Sequence, residues 1–464
     1  MCGVVGIHGA SQAALKAVTS LFAQQHRGQN GAGIVSAQDG IHTLHRGLGM
    51  VKEIFNPTAL DSLGGQSAIG HVRYPTQGPV TLANTQPHLV EGEGHPPVAL
   101  AGNGDLVNYH SLRLRLEKKG LQFSGQNDGE LLARFLAMEL GEGKTLPEAV
   151  RQLMEEIKGA YSVVALVGDN LIAFRDPWGI RPLSMAPLPK GGYVVSSESV
   201  GVDIHVTDEI HEVSPGSLVV FGKGNPQQFD LEPDAPKHHC IFELIYFARP
   251  DGDQFGEGVY AFRKGLGASL AAKDDALETD VVIAVPDSSN VIALGYAEAR
   301  NLPFGFGLMR NHYVGRTFIA PDQSIRDEKV KEKFNPVPGF FEGKKVVLVD
   351  DSIVRGSTMR KLVSMIRRAG AKEIHIRIGS PPVAHPCFYG IDTPTKEELV
   401  INQISQDDLS RHLGADSLTY LSLRDLMKIP KNEEAFCTAC FSGEYPLGIK
   451  ERVIPVSTRG DASP

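Results

Sequence analysis

The chain has 464 residues, 42% of them hydrophobic and 22% charged, with a formal net charge of −8. Its length predicts roughly two or three domains, and the acidic balance argues against a polyanion-binding surface. No apolar run is long enough to span a membrane, and no basic region followed by an apolar stretch opens the chain, so the expectation is a cytoplasmic protein without a secretory leader.

The opening Met1-Cys2-Gly3-Val4-Val5-Gly6-Ile7 predicts a strand over residues 2–7 with a thiol at its head. A side chain as small as that of Cys2 permits removal of the initiator methionine. Cys2 would then carry a thiol, of ordinary pKa about 8.5, and a free α-amine, of about 7.7–8.0. That puts a nucleophile and its base on one residue; an incidental thiol is the plainer alternative. Short β-branched runs between Gly-rich turns predict further strands over residues 33–35, 67–71, 98–101, 161–167, 171–175, 193–197 and 217–221. Apolar spacings of three and four predict helices over 13–25 and 128–140. Strand clusters with a few helices imply a layered α+β domain.

The acidic, proline-containing Asp230-Leu231-Glu232-Pro233-Asp234-Ala235-Pro236 reads as a linker, dividing the chain into 1–235 and 236–464. Beyond it the pattern alternates: helix 259–270, strand 280–285, helix 291–300, strand 345–349, helix 358–369 and strand 373–378. Such alternation argues for an α/β domain with a parallel sheet. From about residue 452 the sequence reads as a loose tail.

In Val346-Val347-Leu348-Val349-Asp350-Asp351-Ser352-Ile353-Val354-Arg355-Gly356-Ser357-Thr358, an apolar strand ends in adjacent carboxylates and a tight turn then opens a helix. Parallel sheets bind ligands at the carboxyl ends of their strands, and helix N-termini offer free N–H groups to phosphate. Residues 355–358 can therefore cradle a phosphate, whereas Asp350 and Asp351 suit sugar hydroxyls or a hard cation. An acidic helix cap would need one carboxylate at most. The segment resembles the phosphate loop of type I phosphoribosyltransferases, which implies a site for 5-phosphoribosyl 1-pyrophosphate (PRPP).

Five cysteines occur in the chain, and the four after Cys2 are Cys240, Cys387, Cys437 and Cys440, the last two as a CxxC pair. A disulfide framework is not expected in the cytosol. Four thiols permit a structural zinc site or an iron–sulfur cluster. A redox dithiol would leave Cys240 and Cys387 unexplained, and four unrelated thiols remain the plain alternative.

The first half resembles class II glutamine amidotransferases, which are N-terminal-nucleophile hydrolases. The likeness rests on the MCGVVGI start, His71-Val72-Arg73-Tyr74, Asn103-Gly104 and Asn127-Asp128-Gly129-Glu130. It implies an αββα sandwich in which Cys2 attacks the glutamine amide and Asn103 and Gly104 form the oxyanion element. Arg73 would bind the glutamine carboxylate and Asp128 its α-ammonium. The two halves together resemble the amidophosphoribosyltransferase family, through Arg175-Asp176-Pro177-Trp178-Gly179-Ile180-Arg181-Pro182-Leu183, Ile241-Phe242-Glu243-Leu244-Ile245-Tyr246-Phe247-Ala248-Arg249-Pro250-Asp251 and Asn311-His312-Tyr313-Val314-Gly315-Arg316-Thr317-Phe318-Ile319.

That resemblance implies PRPP contacts from Asp350, Asp351, Ser352, Arg355, Gly356, Ser357 and Thr358, and from Tyr313 and Arg316 in a closing loop. It implies Mg²⁺ held by Ser288, Asp350 and Asp351. It also implies a structural [4Fe-4S] cluster on Cys240, Cys387, Cys437 and Cys440, as in one branch of the family. Purine nucleotides as feedback inhibitors and a homotetramer are further implications, with no nucleic-acid or membrane partner. Four positions depart from the usual pattern: His312, Ser357, Asn127 and Asp105. Two other readings are open. A non-catalytic PRPP sensor would have no use for Cys2 with Arg73, Asn103 and Asp128. Another class II amidotransferase, acting on a sugar phosphate, would lack the paired-acid loop.

Overall fold

Strand faces that alternate between two cores build the first half. In the strand Gly3–His8, Val5 and Ile7 pack towards a helix while Val4 packs towards a second sheet. In Val98–Leu106, Val98 and Leu100 face helices while Ala99 and Ala101 face the first sheet. This period of two is what a two-sheet sandwich requires. The computed structural model describes residues 1–448 except 76, 77, 207, 208, 275, 314–331 and 394. Among the described residues, a seven-stranded and a six-stranded sheet stack face to face. The helix Ala13–Ala23 covers the outside of the first sheet. Helices Tyr109–Lys118, Asp128–Gly141 and Leu146–Glu156 cover the second. The result is the expected αββα sandwich.

Two of those covering helices go beyond the predicted pair. Tyr109–Lys118 buries only Tyr109, Leu112 and Leu116, a narrow stripe among basic residues that leaves a weak periodic signal. Leu146–Glu156 begins at a capping box of Thr145 and Glu148, which satisfies the free N–H groups of its first turn. The strand Ile41–Gly47 was also not predicted. It lies at a sheet edge and buries only His42, so it lacks an apolar face to read.

The second half carries a parallel sheet in the order Val281–Ala284, Lys345–Asp350, Glu373–Ile378, Ser417–Tyr420. Val282, Ala284, Val347 and Val349 pack on one face, with helices Val259–Ala271 and Asn290–Arg300. Val281, Ile283, Val346 and Leu348 pack on the other, with helices Ser357–Arg368 and Gln406–Leu413. Burial on both faces explains the unbroken apolar run of residues 346–349. A two-residue parallel pair, His239–Cys240 with Phe436–Cys437, ties the end of the described chain back to the start of this half. No helix among the described residues is long and apolar enough to cross a membrane.

Candidate functional site

Cys2 sits immediately before the buried strand Gly3–His8, next to the end of the antiparallel strand Ser67–Val72, where Gly3 pairs with Val72. Arg73 and Tyr74 therefore arrive beside it. The thiol donates to the Tyr74 carbonyl at 3.3 Å, and the Tyr74 N–H approaches the sulfur at 3.4 Å. From the second sheet, Asn103 accepts the Cys2 N–H through Oδ1 at 3.0 Å. Its Nδ2 is buried with no hydrogen-bond partner among the described residues, which leaves a donor beside Cys2. Gly104 has no room for a side chain, since a Cβ would lie 1.8 Å from the Ala160 carbonyl oxygen. Met1 is buried, and its sulfur contacts Arg181. With Met1 in place, the Cys2 nitrogen is a peptide N–H.

Arg73 is buried and donates to the carbonyls of Gly78 and Pro79 at 3.3 and 3.1 Å. Burial lowers its pKa, while Cys2 and Asp128 act in the opposite sense. Asp128 opens the helix Asp128–Gly141. Burial pushes its carboxyl up to about 6, against the opposing pull of the Gly129 N–H and of Arg73. A cationic group and an acidic group are thus buried near one another, as recognition of a zwitterionic amino acid requires.

The second set of groups stands where the strand Lys345–Asp350 ends. The Ser289 hydroxyl donates to Asp350 at 2.7 Å and to Asp351 at 3.3 Å, and Ser352 donates to Asp351 at 2.7 Å. Burial and the neighbouring Asp351 charge raise the pKa of Asp350 well above the carboxylate range. Burial raises that of Asp351 too, with Ser288 and Ser352 opposing. Gly356 turns the chain at φ +75, a left-handed conformation that suits glycine, and the helix Ser357–Arg368 follows. Arg355 pairs with Glu398 at 3.2 Å on the surface. Tyr313 is fully exposed, while Arg316 lies outside the described residues.

All four remaining cysteines border one space. Cys240 and Cys437 are paired across neighbouring strands, and Tyr389 directs its N–H at the Cys387 sulfur at 3.3 Å. Burial, reinforced by the Cys240 charge, pushes Cys437 up to about 12, and burial raises Cys387 and Cys440 as well. Among the described residues, no three His, Cys, Asp or Glu side chains form a ready seat for a metal ion. One cavity of about 380 Å³ is lined by Met1 and Tyr74, by residues 350–359 and by the four cysteines. Tyr74, whose carbonyl holds the Cys2 thiol, thus shares a space with the paired-acid loop and the cysteines, while Cys2, Arg73, Asn103 and Asp128 do not line it.

Sequence reasoning passed over a third feature between them. Arg27, Arg181, Glu198 and Glu243 are all buried. Arg27 donates from Nε to the Cys2 carbonyl at 2.9 Å and from Nη2 to Glu243 at 2.7 Å, and it also pairs with Glu198. Burial alone would raise the Glu198 pKa, but the His26 and Arg27 charges hold it well below the carboxylate range. Removing one member of such a buried pair costs about 3–5 kcal/mol, because the other is left uncompensated. A lone carboxylate inside the apolar run 241–247 was the available signal. Ser289 was likewise missed, beside the expected Ser288, which also hydrogen-bonds Asp351.

Comparison with known proteins accords with this geometry. Residues 80–202 match the glutamine amidotransferase domain and residues 266–378 the phosphoribosyl transferase domain. An amidophosphoribosyltransferase of Arabidopsis thaliana is 46% identical over 96% of this chain and 78% of its own length. The Bacillus subtilis amidophosphoribosyltransferase is 41% identical over 98% of this chain and 96% of its own length. A solved structure of glutamine PRPP amidotransferase from B. subtilis, complexed with ADP and GMP, superposes with a TM-score of 0.87, covering 96% of this chain and 97% of that one. Identity of this extent, spanning both a thiol-headed sandwich and a paired-acid parallel sheet, means that the chain belongs to the amidophosphoribosyltransferase family.

Proposed function

We propose that the chain converts glutamine, PRPP and water into 5-phospho-β-D-ribosylamine, glutamate and pyrophosphate, the committing step of purine biosynthesis. Residues 1–235 would release ammonia and residues 236–464 would use it. The observation that carries this reading is a cavity bordered by both Tyr74, beside Cys2, and the Asp350–Asp351 loop. Ammonia released beside Cys2 would cross this space to reach PRPP.

In the first half-reaction, Met1 is removed and Cys2 attacks the glutamine amide while its α-amine relays the proton. The buried Nδ2 of Asn103 and the Gly104 N–H receive the oxyanion. Arg73 and Asp128 grip the carboxylate and ammonium of glutamine. Water then frees glutamate from the thioester. In the second, ammonia attacks C1 of PRPP and pyrophosphate leaves. Asp350 and Asp351 hold the ribose hydroxyls, and Ser352, Arg355, Gly356, Ser357 and Thr358 hold the 5-phosphate. Tyr313 and Arg316 belong to the loop expected to close over the substrate.

Two buried carboxylates with raised pKa values, joined by serine hydroxyls, are oxygen donors that suit a hard cation. Ser288, Asp350 and Asp351 would hold Mg²⁺, which when bound neutralises charge on the departing pyrophosphate. Cys240, Cys387, Cys437 and Cys440 surround a space, and burial makes Cys387, Cys437 and Cys440 resist ionising without a cation, which suits a thiolate-bound group. We assign them to a [4Fe-4S] cluster that ties the C-terminal segment to the domain junction. Such thiols need a reducing compartment, which accords with a cytoplasmic setting. Inhibition by purine nucleotides and a homotetrameric assembly complete the reading; the B. subtilis structure bound to ADP and GMP supports the former.

The test is pyrophosphate release from PRPP with glutamine or with ammonia. Cys2→Ala should abolish the glutamine-dependent rate and retain the ammonia-dependent rate at high pH. Loss of both in folded protein contradicts the division of labour.

A further inference from the structure

We infer that Glu243, a residue of the second half, is a positioning residue for glutamine hydrolysis: through Arg27 it holds the carbonyl of Cys2 and so aims the thiol. This deepens the function proposed above and rests on it. Cys2 is attached to the fold through its carbonyl side, so a group that pins that carbonyl sets the direction of both the Cα–Cβ bond and the α-nitrogen. Arg27 is the group that does so, donating from Nε at 2.9 Å. The rest of its guanidinium faces Glu243 as a fork, with Nη2 to Oε1 at 2.7 Å and Nη1 to Oε2 at 3.1 Å. Arg27 also lies over the Phe247 ring, with its guanidinium carbon 4.8 Å from the ring centre.

Arg27 and Glu243 are both fully buried, so neither can exchange its partner for water. Arg181 approaches the same carboxylate at 3.4 Å, and Glu198 takes the other side of Arg27. Glu198 in turn accepts the Arg249 N–H at 3.0 Å. Two cations and two anions thus balance, and half of the acceptors come from beyond the linker. The fork geometry leaves Arg27 one rigid orientation. Losing the Glu243 charge would let the guanidinium rotate, and a displacement of about 1 Å at a nucleophile costs up to about 10²-fold in rate. Glutamine binding itself uses Arg73 and Asp128, which Glu243 does not touch. The expected loss therefore falls on kcat, not on KM.

The experiment uses the full-length enzyme with Glu243→Gln and Glu243→Asp. For each variant, glutamine-dependent and ammonia-dependent synthesis are measured, along with the rate at which iodoacetamide alkylates Cys2. The expected result for E243Q is a fall of about tenfold or more in the ratio of glutamine- to ammonia-dependent kcat, with the glutamine KM within about twofold and slower alkylation. E243D, which keeps the charge on a shorter arm, should recover part of the ratio. Should E243Q fail to fold, a wild-type ratio in E243D overturns the inference. So does a ratio within twofold of wild type in a folded E243Q. If the wild-type enzyme makes no product from either nitrogen source, the parent function fails, and this inference with it.

Discussion

Asn103 uses its two amide atoms for two different purposes. Its Oδ1 accepts the N–H of Cys2 at 3.0 Å, and its Nδ2 is buried with no partner among the described residues. A donor that meets negative charge only as the reaction proceeds stabilises a transition state more than a ground state.

Asn103→Ala should lower the glutamine-dependent kcat by about 10²–10³-fold, the usual effect of removing an oxyanion donor. The ammonia-dependent rate should stay within about twofold. Steady-state kinetics with both nitrogen sources checks this; equal losses in the two would place Asn103 in general folding instead.

Asp128 sets a pH limit. Its carboxyl titrates at about 6 in the free protein because it is buried. Below that pH it is neutral and no longer attracts an ammonium group, so kcat/KM for glutamine should fall as pH drops through about 6. Bound glutamine favours the ionised form, so the corresponding limb in kcat should lie at lower pH. For stability the sign is opposite. A carboxyl with a raised folded pKa contributes stability at low pH, and that contribution is lost as pH rises through about 6. Asp128→Asn should remove the limb from the kcat/KM profile, and its persistence would assign the titration elsewhere.

The Ser289 hydroxyl bridges the two acids of the phosphate loop. A hydrogen bond between uncharged groups contributes about 0.5–1.5 kcal/mol. Ser289→Ala should therefore raise the PRPP KM by roughly two- to tenfold, at one decade per 1.4 kcal/mol. Both nitrogen sources should be affected alike. A rise confined to the glutamine reaction would count against a role at the sugar.

Protein purified without oxygen should be coloured and contain about four iron atoms per chain. Cys437→Ser should prevent loading and lower the thermal midpoint, because a group bound from both of the paired strands His239–Cys240 and Phe436–Cys437 would be lost. Colourless wild-type protein with one zinc per chain would replace the cluster with a zinc site.

Much of the fold was legible because its signals are local. The apolar run before Asp350 must be a strand buried on both faces, and glycine with hydroxyls after it must turn and open a helix. The edge strand Ile41–Gly47 was not legible, since a half-exposed strand has no apolar face to mark it. Helix Tyr109–Lys118 hid for a related reason, with three buried residues among basic ones. Ser288 and Ser289 both reach the acids, and Ser289 was missed because the number of hydroxyls facing them depends on how the turn before Asn290–Arg300 is wound.

The residue types alone determined what chemistry this protein could hold: a thiol at a terminus, paired acids at a strand end, four more thiols. Those are properties of side chains and of near neighbours along the chain. Only the tertiary structure decided that they meet. Antiparallel pairing set Arg73 beside Cys2, a second sheet brought Asn103, and the packing of the two halves buried Arg27 against Glu243. Partners separated by 216 positions leave no periodic trace in a sequence, because burial, which makes such a pair strong, is a property of the folded volume and not of the chain.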